Sequence, residues 1–304
     1  MKKKVVILGS TGSIGRNTLQ VIDALRSEYE VIALSAHRNL DLLAEQVKKF
    51  NPRYAAVTDK QSTTDLSRAF SGFSGTVLSG PGSLVELASL DEADIIVCAV
   101  VGAAGLPAAL AAAQAGKTVA IANKEPLVIA GELLTTAARK SGATLLPIDS
   151  EHSAVFQAMQ AGNPKEVRKV ILTASGGPFR NATFDQMNNA TIEQALAHPT
   201  WDMGPKISID SATMMNKALE VIEAVWLFDL TADKIDVLIH PESIVHSMVE
   251  FIDGSVIAQL GTPDMKVPIQ YALTYPQRRE GISEGLRLDK LGQLNFHPPD
   301  LSRF

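Results

Sequence analysis

The sequence predicts an α/β chain, in which an amino-terminal doubly wound parallel sheet is followed by an α+β domain. Three observations carry this. A short apolar run enters a glycine-rich loop that opens a helix. Apolar runs and helical patterns then alternate as far as Ile148. Beyond Asp149 the pattern changes to a long strand, a Pro/Gly-rich loop and a hairpin. Alternating β and α segments imply a parallel sheet with ligands at the carboxyl ends of its strands. At 304 residues two domains are the natural division, and a hydrophobic share of 46% supports substantial cores.

The first strand is Lys4–Gly9. It runs straight into Gly9-Ser-Thr-Gly-Ser-Ile-Gly15 and then into a helix with Leu19, Ile22 and Leu25 on one face. Strand, glycine loop and helix together are the context in which such a motif binds a dinucleotide, with pyrophosphate at the helix N-terminus. The G-x-x-G-x-x-G spacing is looser than the usual fingerprint, so the context carries more than the motif. The second strand, Val31–Ala36, ends in His37-Arg38-Asn39. An acidic residue near this point would hold a ribose 2′-hydroxyl. Arg38 instead suits the 2′-phosphate of NADP, because guanidinium and phosphate pair bidentately. Buried strands follow at Tyr54–Thr58, Asp94–Val100, Thr118–Ala122 and Ala143–Ile148, with helices at Leu106–Ala115 and Gly131–Ser141. Two polar clusters fall at strand ends: Asn123-Lys124-Glu125 and Asp149-Ser150-Glu151-His152.

If Asp149-Ser-Glu151 stays extended, its two carboxylates point to one side. Converging carboxylates need a proton or a cation between them. Glu220 would supply a third oxygen ligand, and such a set suits Mg²⁺ or Mn²⁺. Exposed acids at a domain change are the plainer alternative. The stretch Ile209–Glu220 reads as the entry and first turns of one helix, with Ser211 at its N-cap. Asn216 and Lys217 lie four and three residues before Glu220, on one helix face. Hydroxyl, amide, ammonium and a helix N-terminus form an anion clamp beside that carboxylate. A capped helix with an ordinary Lys/Glu pair is the competing reading. Downstream, Lys169–Ser175 reads as a strand ending in Ser175-Gly-Gly-Pro-Phe179. His198-Pro-Thr-Trp-Asp-Met-Gly-Pro205 reads as a loop able to close over a ligand, and Val245–Leu260 as a hairpin turning at Asp253-Gly254. His240 and His246 read as strand or turn residues.

Net charge is −5, which argues against a nucleic-acid partner. The single cysteine, Cys98, sits in an apolar strand; it excludes an internal disulfide framework and fits a reducing, cytoplasmic setting. The Lys-rich start is not a signal peptide, since its apolar run stops at Gly9, and no segment reads as a membrane span.

Six segments, Gly9–Gly15, Asn123–Glu125, Asp149–His152, Ser175–Arg180, His198–Gly204 and Ser211–Glu220, resemble the 1-deoxy-D-xylulose 5-phosphate reductoisomerase family in order and spacing. The combination is specific, although the glycine loop alone is not. The resemblance implies a Rossmann-like NADPH-binding domain over residues 1–148. It implies a catalytic, metal- and substrate-binding and dimerisation domain over 149–284, and a linker over 285–304. The chain ends within what resembles that linker, short of the family's carboxy-terminal helical domain. The implied reaction isomerises 1-deoxy-D-xylulose 5-phosphate, a small phosphorylated sugar, and reduces the product with NADPH to 2-C-methyl-D-erythritol 4-phosphate, in isoprenoid precursor synthesis by a homodimer. Carried over by position, Thr11, Gly12, Ser13, Ile14, His37, Arg38, Asn39, Asn123, Glu125 and Gly204 bind cofactor. Asp149, Glu151 and Glu220 hold the metal. Ser175, Ser211, Asn216 and Lys217 hold phosphate with His198 nearby, Lys124 and Ser150 contact the reacting end, and Trp201 and Met203 belong to the closing loop. Lys124 and His198 join the metal ligands as catalytic candidates. The sequence departs from the family at His37-Arg38, where glycine and lysine are common, and at Pro126, where serine is usual. A non-catalytic homologue and a simple NADP-dependent dehydrogenase stay open as other classes.

Overall fold

The computed structural model describes residues 1–59, 63–201 and 203–302. Asp202 of the 198–205 loop and the last two residues of the 285–304 segment fall outside this set. The chain divides into two units. The first comprises Met1–Asp149 with Met265–Ile282, and the second Ser150–Asp264 with Ser283–Phe304.

The first unit is built on seven strands: β1 (Lys3–Leu8), β2 (Tyr29–Ala36), β3 (Tyr54–Val57), β4 (Thr76–Ser79), β5 (Ile95–Cys98), β6 (Thr118–Ile121) and β7 (Thr144–Pro147). They pair in the order β4-β3-β2-β1-β5-β6-β7, all parallel. Because helices cover both faces, the central strands are apolar throughout rather than alternating: Val5, Val6, Ile7 and Leu8 are all buried. Strand order reverses between β1 and β5, and a ligand crevice lies beyond the carboxyl ends of strands at such a reversal. Gly9 sits there with φ +86°, and a Cβ on it would stand 2.6 Å from the Ala99 carbonyl oxygen after β5. Only glycine allows the two loops to approach so closely.

Two features differ from the sequence reading. The helix expected at 131–141 begins at Glu125 and runs to Ser141, with Pro126 in its first turn and a kink at Ala130. Proline fits a helix start, where its missing N–H costs no hydrogen bond. Met265–Ile282, which the sequence reading puts in the second domain, packs with the first unit. Its helix Lys266–Thr274 lies against the helix Ser13–Ala24, and Tyr29 donates its hydroxyl proton to the Leu273 carbonyl at 2.9 Å.

The second unit holds a mixed four-stranded sheet: β8 (Val167–Ala174), β9 (Ile235–Ile239), β10 (Val245–Phe251) and β11 (Val256–Leu260), in the order β11-β10-β8-β9. The β10–β11 hairpin turns at Asp253-Gly254, where Ser255 N–H donates to Asp253 Oδ1 at 2.9 Å. Helices Ser150–Met159 and Met215–Phe228 contribute to the core of this unit, where Val155 and Ala224 meet Val170, Leu172 and Val249. Within the 285–304 segment, His297 adds one antiparallel bridge to Ile239 at the free side of β9.

Two local conformations correct the sequence reading. Asp149–Glu151 is not extended, because Ser150 already begins a helix. The 209–220 stretch is not one helix. A helix starts at Pro205 after an extended Gly204 and ends at Ala212; Met214 takes a left-handed conformation (φ +59°), and a second helix starts at Met215. Ser211 therefore stands in the last turn of the first helix and caps nothing. Thr213 helps end that helix by returning its hydroxyl to the Ile209 and Asp210 carbonyls, both at 3.2 Å.

Candidate active site

The glycine loop presents an uncapped helix start. Gly12 is the N-cap of the 13–24 helix and makes no side-chain cap bond. Gly12 and Ser13 are exposed, while Thr11 and Ile14 are half-buried. The first N–H groups of that helix face outward and suit an anion. Beyond β2, His37 Nδ1 lies 2.9 Å from Thr58 Oγ1, and Arg38 Nε pairs with Asp59 at 2.9 Å. Asn39 has a structural task, since its side chain caps the helix Leu40–Phe50 by accepting from Leu42 N–H at 3.1 Å. Past β6, Asn123 is buried; its Nδ2 donates to the Gly102 carbonyl at 3.3 Å, while its buried Oδ1 accepts nothing among the described residues. A buried acceptor of this kind at a strand end is what a polar ligand group would satisfy. The uncapped helix start and exposed arginine fit the phosphates of a dinucleotide in the first unit, and the orphaned amide oxygen fits a hydrogen-bond donor on the same ligand. Glu125 is half-buried at the head of its helix.

The carboxylates gather around the start of the 150–159 helix. Oxygens of Asp149, Glu151 and Glu220 lie within 4.8 Å of one another. An octahedral Mg²⁺ with ligands at about 2.1 Å needs oxygens no more than about 4.2 Å apart, so modest closure suffices. The donors are all hard oxygens, as that ion requires. The carboxylates are held in place: Lys124 Nζ donates to Asp149 at 2.7 Å, Ser150 Oγ to Glu151 at 2.8 Å and Asn216 Nδ2 to Glu220 at 2.6 Å. Lys217 is also buried here. Its ammonium pairs with Glu220 and stands 3.9 Å from Glu151. His152 and Glu223, to which the sequence pattern gives no role, are both buried and lie close to Asp149. His152 Nε2 lies 2.9 Å from the Glu220 carbonyl, and its Nδ1 lies 3.6 Å from Glu223. A second group, Asp149, His152 and Glu223, also has its ligand atoms within 4.8 Å. His152 and Glu223 carried one available signal: each lies three residues from a predicted ligand or nearer, on the same helix.

A third set surrounds the end of β8. Gly177 has φ +66°, and a Cβ there would overlap the Ser211 carbonyl oxygen. The glycine thus lets the Ser175 loop rest against Ser211. Ser175 Oγ is 2.8 Å from His198 Nε2 and accepts from Gly177 N–H at 3.2 Å. His198 Nδ1 accepts from the N–H groups of Thr200 (3.2 Å) and Trp201 (3.0 Å). The imidazole is therefore the neutral tautomer with its proton on Nε2, donated to Ser175. With two bonds accepted, the Ser175 hydroxyl keeps its own proton for an outside acceptor. Burial, and then the Arg180 charge, hold the His198 pKa below the usual histidine value. Trp201 is half-buried with its ring 6.1 Å from that of His246; Met203 is half-buried and Gly204 exposed. Asn216 and Lys217 stand in the first turn of the 215–228 helix, whose cap is Met214.

Family models match three stretches of the chain. The model of 1-deoxy-D-xylulose 5-phosphate reductoisomerase matches residues 5–131, that of its C-terminal domain residues 145–228, and a further DXP reductoisomerase C-terminal domain residues 260–304. The chain is 50% identical over 305 residues to the reductoisomerase of Clostridium perfringens, covering 99% of this chain and 79% of that one. It is 53% identical to that of Halalkalibacterium halodurans over the same shares. Among solved structures, a DOX-P reductoisomerase in complex with NADPH, fosmidomycin and magnesium superposes with TM-score 0.95 at 47% identity, over 99% of this chain and 77% of that chain. The Zymomonas mobilis enzyme in complex with NADPH superposes with TM-score 0.93 at 48% identity, over 100% and 79%. With identity of this order across its whole length, this chain belongs to the 1-deoxy-D-xylulose 5-phosphate reductoisomerase family.

Proposed function

We propose that this chain isomerises 1-deoxy-D-xylulose 5-phosphate and reduces the product with NADPH to 2-C-methyl-D-erythritol 4-phosphate, using a divalent metal ion. The observation that carries this is the convergence of Asp149, Glu151 and Glu220 at one helix start, in a member of this family. When bound, Mg²⁺ or Mn²⁺ supplies Lewis-acid stabilisation of developing oxygen charge, and NADPH supplies hydride. The chain's own residues bind and orient. Thr11, Gly12, Ser13 and Ile14 would receive the pyrophosphate, with Arg38, His37 and Asn39 at the 2′-phosphate end, and Asn123, Glu125 and Gly204 would complete the cofactor contacts. Lys124 holds Asp149, and Ser150 holds Glu151, so each carboxylate is oriented before ligand arrives. Ser175 directs its hydroxyl proton outward because His198 and Gly177 occupy its acceptor side. With Ser211, Asn216 and Lys217 it would hold the substrate phosphate. Binding energy gathered there orients the reacting end. Trp201 and Met203 would close over the sugar.

The proposal extends to a homodimer in the cytoplasm. What supports the dimer is β11, an edge strand carrying the exposed apolar residues Val256 and Ile257. No helix among the described residues is long and apolar enough to cross a membrane. The proposal places cofactor binding in residues 1–148 and catalysis within 149–284, of which the segment Met265–Ile282 packs with the first unit. The test is NADPH oxidation dependent on 1-deoxy-D-xylulose 5-phosphate, with Mg²⁺, with Mn²⁺ and with chelator. Turnover in either metal and its loss with chelator are expected. No sugar-dependent oxidation with either metal overturns the proposal, and turnover indifferent to chelator points to a simple dehydrogenase.

A further inference from the structure

The glycine loop is tied down by a side chain far from it in sequence. Ser10, wholly buried behind Gly9, has every polar group bonded. Its N–H donates to the Ser35 carbonyl at 2.8 Å. Its hydroxyl lies 2.6 Å from Gln46 Oε1 and 3.1 Å from the Ser35 carbonyl. Its own carbonyl accepts from Gln46 Nε2 at 2.9 Å. Ser35 adds a further bond, its hydroxyl oxygen accepting from Gly9 N–H at 3.0 Å. The Ser10 carbonyl only accepts, so it fixes which end of the Gln46 amide faces it. A carboxamide can donate to that carbonyl and accept from that hydroxyl together, which an ionised carboxylate of the same length cannot. Gln46 and Ser35 are themselves buried, so these bonds are made away from water, where an unmade one costs most.

Gln46 lies in the helix Leu40–Phe50, whose N-cap is Asn39, directly after His37 and Arg38. One rigid helix therefore grips the glycine loop near its end and carries the Arg38 segment at its start. From this we infer that Gln46 is a positioning residue for the cofactor: through Ser10 it sets the glycine loop against the Arg38 segment, and so fixes the spacing between the subsites for the pyrophosphate and the 2′-phosphate of NADPH. This rests on the proposed NADPH site, on which Gln46 acts through its bonds to Ser10.

The test is NADPH affinity by equilibrium fluorescence titration of the full chain, without substrate or metal. Three single variants are compared, with the double variant of the first two: Gln46→Met, of similar length without the amide; Ser10→Ala, which removes only the hydroxyl; and Val47→Ala, which loosens the same helix beside Gln46. Gln46→Met is expected to raise Kd about tenfold and Ser10→Ala about threefold, with the double variant no weaker than Gln46→Met alone. Val47→Ala should lower Tm by at least as much and leave Kd within twofold. If Gln46→Met does not fold, the threefold loss in Ser10→Ala decides. Unchanged Kd in Ser10→Ala or Gln46→Met, or an equal rise in Val47→Ala, overturns the inference. Failure of the wild-type chain to bind NADPH overturns the cofactor site instead.

Discussion

Arg38 pairs with Asp59 at 2.9 Å while 74% of its side chain faces solvent. The partner orients the guanidinium without burying it, leaving it able to meet a phosphate. Arg38→Ala should weaken NADPH by about 1.5 kcal/mol, roughly tenfold, the low end for a charge-assisted bond because water screens the site. NADH, lacking the 2′-phosphate, should bind within twofold of wild type, and equal loss for both cofactors would assign Arg38 to packing. His198 makes a second residue-level prediction. Its folded pKa lies below its unfolded value, through burial first and Arg180 second. The unfolded chain thus takes up the proton first as pH falls. The stability contributed by the neutral ring is present above about 6.5 and lost as pH drops through the lower folded value. Melting curves from pH 7 to 5 should show wild type losing Tm faster than His198→Asn, and parallel curves would sink this. Cys98 lies at the other extreme: burial pushes its thiol up to about 12, so it packs as a small apolar group and is a poor nucleophile.

At the scale of elements, the Ser175 loop depends on Gly177. Gly177→Ala adds a left-handed strain of about 1–3 kcal/mol and a clash with the Ser211 carbonyl. Lower Tm and a raised KM for the sugar phosphate are expected, with NADPH affinity kept; a changed NADPH Kd with normal KM for the sugar would contradict the place given to this loop. How far the elements were legible follows from their chemistry. β1, its glycine loop and the following helix could be read because hydrophobic period changes at a glycine run. The break at Thr213-Met214 could not: no glycine or proline marks it, and Met214 takes a positive φ that its residue type does not advertise. Nor could the helix start at Ser150 be told from an extended turn, since Asp-Ser-Glu suits both. Asp149 and Glu151 still meet Glu220, which the 215–228 helix supplies from far along the chain. β4 and β9, short strands with half-buried residues, gave too little alternation to read. His152 and Glu223 were hidden because a buried polar residue on an apolar helix face looks the same whether it supports a site or the core.

At the scale of the whole molecule, β11 ends the second sheet with Val256 and Ile257 exposed, 49% and 38%. An apolar edge invites a second copy. Sedimentation of the wild-type chain should give a dimer, and Val256→Lys should shift it to monomer with unchanged circular dichroism; a wild-type monomer, or a variant of dimer mass, would remove β11 as the interface. The other edge differs, since His297 bridges to Ile239 and His240 Nδ1 lies 2.8 Å from the Asn295 carbonyl. The first unit, finally, is finished by a segment that the ribosome delivers late. Residues 1–149 contain every strand of the seven-stranded sheet, yet the helix Lys266–Thr274 that lies on the 13–24 helix emerges only after Ser150–Asp264 has been made. Until then, the nascent sheet keeps the Leu273 carbonyl's partner, Tyr29, and the Arg279 partner, Glu28, waiting for chain not yet synthesised. The first unit therefore cannot be complete until the whole of Ser150–Asp264 has been synthesised, although domains generally fold amino-terminal first.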